Sequence, residues 1–280
     1  MKRCAHSAFG FHLTLVCVGV ALIIFTGCFG RNGAQSPDAS PEAAKRFLKL
    51  KGYEVDPKGF FTAVALNDLP AVNAFITAKF DLNVRDSVTG RTALIMAAAS
   101  GDLPIVKSLT KAGADLNAED KGNKPALFHA IEARYDDISD FLVVQSGLNL
   151  NARGKNGVTA LISYVWRDQV DVVKGLLDRG ASVNLQDGDG DTALHGAAQS
   201  GNVDITNLLL AKGAEPNIQN KVGGTPLMWA AAYGNDKVVE VLLRHHSDAT
   251  LKDGDGKTAK DWAIQNKRDS VVQILQRGFR

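Results

Sequence analysis

The sequence predicts an all-α solenoid, a stack of short repeated units in which each unit adds one layer to a continuous core. Two observations carry this expectation. Leu94, Leu127, Leu161, Leu194 and Leu227 recur at intervals of 33, 34, 33 and 33 residues, and Asn83, Asn117, Asn151, Asn184 and Asn217 keep the same rhythm at 34, 34, 33 and 33. A period in this range is the signature of a repeat architecture, and two registers do not drift together by chance. Composition agrees, since 45% hydrophobic and 22% charged residues exclude disorder along the whole chain.

Residues 1–27 read as an export signal, with Met1-Lys2-Arg3 as a basic start and Leu13 to Phe25 as a largely apolar core. Phe25-Thr26-Gly27-Cys28 resembles the lipobox of bacterial lipoproteins, with Phe25 in place of the usual Leu. The resemblance implies lipidation of Cys28 and a membrane anchor of two or more acyl chains. An uncleaved N-terminal anchor in the inner membrane is the alternative, although His12 interrupts the apolar stretch and leaves it short for a span. Either reading puts the chain from Cys28 onward outside the cytoplasm, in the bacterial cell envelope. Phe29 after Cys28, where Asp would signal retention, implies the outer membrane facing the periplasm.

Lys2 and Arg3 account for the excess of 32 bases over 30 acids, so the remainder is neutral and has no overall field for a nucleic-acid backbone. Cys4 and Cys17 fall in the leader and the repeats contain no cysteine, which excludes disulfides and thiol catalysis there. Residues 28–41, rich in Gly, Asn, Ser and Pro, form the expected flexible tether. Residues 42–57 form an N-terminal capping helix, with Ser40 as N-cap and Pro41 at the first helical position.

From residue 58 to 280 the units follow one pattern. Thr192-Ala193-Leu194-His195-Gly196-Ala197-Ala198 leads through Gly201 to Leu208-Leu209 and Gly213-Ala214-Glu215-Pro216-Asn217, and Thr225-Pro226-Leu227-Met228-Trp229-Ala230-Ala231 opens the next unit. This closely resembles the ankyrin repeat, and the resemblance implies helix-turn-helix units with protruding β-turn or hairpin loops. About six units are expected, plus a partial first unit from about Gly59 to Asp86 and a capping last one from Asp253. Thr159 and Thr192 are expected to cap first helices, and Ala197 and Ala198 to let adjacent helices approach. Arg134 and Asp168 replace the inter-helix glycines Gly101, Gly201 and Gly234, so the middle of the stack should be its least regular part.

Motifs that elsewhere carry chemistry are incomplete here. Asp253-Gly254-Asp255-Gly256-Lys257-Thr258 ends like a phosphate-binding loop, but Leu251 occupies the first required glycine position. Asp187-Gly188-Asp189-Gly190-Asp191 alternates like a calcium loop, yet Thr192 and Ala198 occupy the required Gly and Glu positions. His245 and His246 are adjacent and lack a ligand at helical metal spacing. His195 is expected to make structural hydrogen bonds, and His129 reads as a helix-face residue. No nucleophile elbow, zinc-protease or dinucleotide motif occurs. The expectation is therefore a non-enzyme without cofactor, metal or small-molecule substrate.

In ankyrin proteins the partner lies along a concave surface of turn tips and first-helix faces. Carried over by position, this implies Glu132, Trp166, Arg167, Gln199 and Tyr233 on the helices and Arg91, Lys124 and Asp191 at the turns. Trp166 and Tyr233 are the expected anchors, because exposed aromatics concentrate binding energy, whereas Trp229 and Trp262 occupy an inward position and should be core. The partner is expected to be a protein. A structural envelope scaffold, a self-associating protein, and a protector or inhibitor of a periplasmic enzyme are the competing readings.

Overall fold

The computed structural model describes residues 40–277. The signal peptide, Cys28 and the tether up to residue 39 lie outside the described residues. Fifteen α-helices run in chain order and the described residues contain no β-strand. The first, α1 (Pro41–Leu50), is followed by seven helix pairs. These are α2 (Pro57–Ala65) with α3 (Leu69–Thr77), α4 (Ala93–Ser100) with α5 (Leu103–Lys111), α6 (Ala126–Ala133) with α7 (Asp136–Val143), and α8 (Ala160–Trp166) with α9 (Val170–Asp178). Then come α10 (Ala193–Ser200) with α11 (Val203–Ala211), α12 (Pro226–Tyr233) with α13 (Asp236–Arg244), and α14 (Ala259–Gln265) with α15 (Asp269–Arg277). The first unit, expected to be partial, is a complete helix pair, because Phe60 and Phe75 supply buried anchors in place of the usual leucines.

Most first helices start for a local reason, while α6, behind Pro125, has no side-chain cap. Thr92, Thr159, Thr225 and Thr258 lie in extended backbone and accept the amide three residues on. Thr192 departs from this, for its amide donates to His195 Nδ1 at 3.1 Å and its hydroxyl lies 2.9 Å from the same nitrogen. Ser40 accepts from the Ala43 amide and starts α1 ahead of Pro41. This helix packs on α3, burying Leu48 completely and covering Phe60, Phe75 and Phe80, whose rings lie 5.1 to 5.4 Å apart.

The asparagine register has a structural cause. Asn83, Asn117, Asn151, Asn184 and Asn217 each accept, through Oδ1, a backbone amide of the next unit at 2.7 to 2.9 Å. Asn117, Asn184 and Asn217 also donate Nδ2 to the carbonyls of Gly147, Gly213 and His246. These side chains stitch one unit to the next and satisfy backbone groups at the end of each second helix.

The protruding loops are tight turns. Asp120, Asp187 and Asp253 each accept two amides of their own loop through Oδ1, and Asn220 does the same. Such Asx turns explain the acidic runs that resembled calcium and phosphate loops, since the first carboxylate of each is occupied by the turn.

The middle of the stack is irregular in a specific way. First helices of most neighbouring units pack closely, but α6 and α8 do not, nor do α7 and α9. The pairs Ala97-Ala98, Ala197-Ala198 and Ala230-Ala231 give way here to Ala130-Ile131 and Tyr164-Val165. The larger buried side chains hold the helix axes apart. Arg134 and Asp168 turn with φ of 58° and 54°, where Gly101, Gly201 and Gly234 take 78° to 83°. A 3₁₀ turn at Lys155–Gly157 replaces the regular loop.

Candidate partner-binding face

Among the described residues, three of the clefts along the first helices gather most of the residues expected to bind. The first, about 550 Å³, opens where α6 and α8 spread apart and is lined by Glu132, Trp166 and Arg167 among others. A smaller one of about 410 Å³ brings Trp166, Gln199 and Tyr233 together around Gly196 and Ser200. The third, about 450 Å³, is walled by Trp229, Tyr233 and Trp262. Trp166 separates the first two and Tyr233 the last two.

Trp166 and Tyr233 are 50% and 46% exposed, with large aromatic surfaces open to solvent. The Trp166 indole lies against Gly196, where an added Cβ would meet it at 2.7 Å. Tyr233 stacks on Trp229, with ring centroids 6.0 Å apart, and its hydroxyl accepts from Gln199 Nε2 at 3.0 Å.

Other residues of the set stand differently. Arg167 is an internal brace, since it reaches back across the gap to Asp136 Oδ1 at 2.5 Å and to the Ile131 carbonyl at 2.7 Å. Lys124 and Glu132 pair with each other at 2.6 Å. Arg91 and Asp191 sit in separate turns and join no cleft with the aromatics. Arg91 Nε lies 3.5 Å from Asp120 Oδ2, while Asp191 accepts from Asn220 Nδ2 at 2.8 Å. Burial raises the Asp191 carboxyl pKa despite that bond.

Trp229 and Trp262 correct the expectation that they are core. Both are partly buried and line the third cleft. Trp262 donates Nε1 to Asp253 Oδ2 at 2.7 Å, and Lys257 Nζ sits 5.1 Å from its ring centroid. The inward helix position faces the loop here, where Trp262 is tied to Asp253 of its own turn.

His129 also differs from its reading as a helix-face residue, for it is buried and its Nε2 donates to Asp120 Oδ2 at 2.8 Å. Burial lowers its pKa, outweighing the attraction of Asp120. Burial works against the Asp120 carboxylate too, but bonds from His129, Lys124 and Gly122 hold its pKa below the usual value. His195 makes the structural bonds expected of it. Its Nδ1 accepts at Thr192 and its Nε2 donates to the Gly224 carbonyl of the next unit at 3.1 Å. His246 is exposed and turns the end of α13 with φ of 64°.

Among the described residues, no three His, Cys, Asp or Glu side chains come together to hold a metal ion. None of the described helices is long and apolar enough to cross a membrane.

Paired helices stacked in register, stitched by asparagines and edged by Asx turns, define a repeat scaffold. The family model described as ankyrin repeats (3 copies) matches residues 60–154, 144–220 and 194–279. The chain belongs to the ankyrin repeat family. No curated protein matches the chain. Ankyrin repeats are generally protein–protein interaction modules without catalytic activity.

Proposed function

We propose that this protein is a non-catalytic interaction module, lipid-anchored at Cys28 to the bacterial cell envelope, that captures a protein partner on the concave ankyrin surface. The observation that carries this reading is the pair of half-exposed aromatics, Trp166 and Tyr233, which divide three adjoining clefts on one face. Aromatic residues next to partly desolvated clefts concentrate binding energy. The lipobox-like Phe25-Thr26-Gly27-Cys28 supports the anchor, and Phe29 after it supports placement at the outer membrane facing the periplasm.

The test is capture of an envelope protein by the full chain, compared with Trp166→Ala combined with Tyr233→Ala. We expect the double variant to lose one specific partner while its unfolding free energy falls by no more than about 2 kcal/mol, as suits half-exposed side chains. In the same cells, Cys28→Ser should release the chain from the membrane fraction. Unchanged capture would exclude the concave face, and an unchanged distribution would exclude the lipid anchor.

A further inference from the structure

The cleft between the third and fourth helix pairs has its own chemistry. It lies where α6 and α8 do not pack closely, with Ile131 in its lining at a position that alanine holds in other first helices. Its apolar lining comes from Ile131, Val158 and the half-exposed Trp166, with the buried Phe128 behind them. At about 550 Å³ it falls within the range of about 300 to 1,000 Å³ that binding clefts occupy.

The charges around it are unbalanced in a particular way. Both carboxylates in the lining are already neutralised, Glu132 by Lys124 at 2.6 Å and Asp136 by Arg167 at 2.5 Å. Arg134 and Lys155 also line the cleft, are exposed, and have no ion-pair or hydrogen-bond partner for their side chains among the described residues. The unanswered charges are thus both positive, over an aromatic floor. A cationic partner would meet repulsion, and an uncharged one would leave the two cations unused.

Resting on the reading of this face as partner-binding, we propose that this cleft docks an acidic segment of the partner, which seats one large apolar side chain against Val158 and Trp166 and sets flanking carboxylates on Arg134 and Lys155. Apolar contact supplies the hold. The two cations supply the selection, together with a dependence on salt that apolar contact alone does not have.

The probe is a short synthetic peptide with one phenylalanine flanked on both sides by aspartates and glutamates, titrated calorimetrically into the full chain. Three comparisons accompany it: the same peptide with Asn and Gln for Asp and Glu, the peptide with Phe→Ala, and the Arg134→Gln/Lys155→Gln protein. Far-UV circular dichroism verifies that this variant, altered only at exposed positions, keeps its fold. We expect the acidic peptide to bind, and each comparison to weaken binding about tenfold, the two charge comparisons more at low salt than at high and the Phe→Ala comparison alike at both. Equal affinity for the acidic and amide peptides, or full affinity in the Arg134→Gln/Lys155→Gln protein, overturns the proposal. Absence of binding overturns it as well. If the acidic peptide fails while Trp166→Ala/Tyr233→Ala still abolishes capture, the concave-face reading stands and only the acidic occupant falls.

Discussion

Gly196 shows how much one missing side chain sets on this face. It shares a register with Trp229 and Trp262, one and two repeats later. A Cβ at Gly196 would lie 2.7 Å from Trp166 Cδ1 and Nε1 and 3.3 Å from Val165 Cγ1. The indole therefore occupies the space that a side chain would take. Gly196→Ala gains about 1 kcal/mol of helix propensity, so the fold should persist while Trp166 is pushed from its seat. With Trp229→Phe and Trp262→Phe to isolate the signal, we expect Trp166 fluorescence to become more accessible to acrylamide and partner capture to fall. Unchanged quenching would show that the indole does not depend on Gly196. At this scale the sequence exposed Trp166 and Tyr233, because their register is held elsewhere by Gln199, Ser200 and Ala232. It concealed Arg167, whose bonded partner Asp136 lies 31 positions earlier and is found only once the units are stacked.

At the scale of elements, the first helices depend on their starts, and one start is tied to a titrating group. His195 closes the beginning of α10 only while Nδ1 is free to accept, and it joins that helix to the Gly224 carbonyl of the next loop. Burial lowers the pKa of His195 and of His129 from the ordinary 6.5, outweighing the neighbouring acids in each case. As pH falls, the unfolded chain therefore takes up these protons first. The stability they support is full above 6.5 and drains away as pH drops from there through the lowered folded-state values. Asp191 acts in the opposite sense but lower down, where its raised pKa lets the folded chain gain a proton on the way to 3.8. Thermal midpoints should thus fall from about pH 7 to about pH 5, and His129→Gln with His195→Gln should flatten that slope. Equal slopes in the two proteins would rule these histidines out as its source. Helix starts were legible because Thr, Ser and Pro act locally. The positions of Trp229 and Trp262 were not, since helical register names the side that faces inward but not the turn lying there.

For the whole molecule, the question is whether seven pairs unfold together. Stability in a repeat stack is close to a sum of unit and interface contributions, so one poor interface can divide it. The period predicted the stack, and Arg134 and Asp168 predicted irregularity at its middle, but the separation of α6 from α8 came from side-chain volume in two units at once. Across that junction, arginines replace close helix contact. Arg167 binds Asp136 and the Ile131 carbonyl, while Arg179 donates to the carbonyls of Val143 and Gln145. All three tryptophans, Trp166, Trp229 and Trp262, lie on the C-terminal side, so fluorescence reports that side and far-UV circular dichroism reports both. In the parent protein the bridges couple the halves, and the two urea transitions should coincide. Arg167→Ala with Arg179→Ala removes charge-assisted bonds worth about 1.5 to 3 kcal/mol each, before relaxation, from the interface least able to lose them. We expect the two transitions then to separate, with a shallower apparent slope by circular dichroism, as cooperativity across the junction fails. Transitions that still coincide after both substitutions would mean that the asparagine stitch at Asn151 suffices to carry cooperativity through the gap.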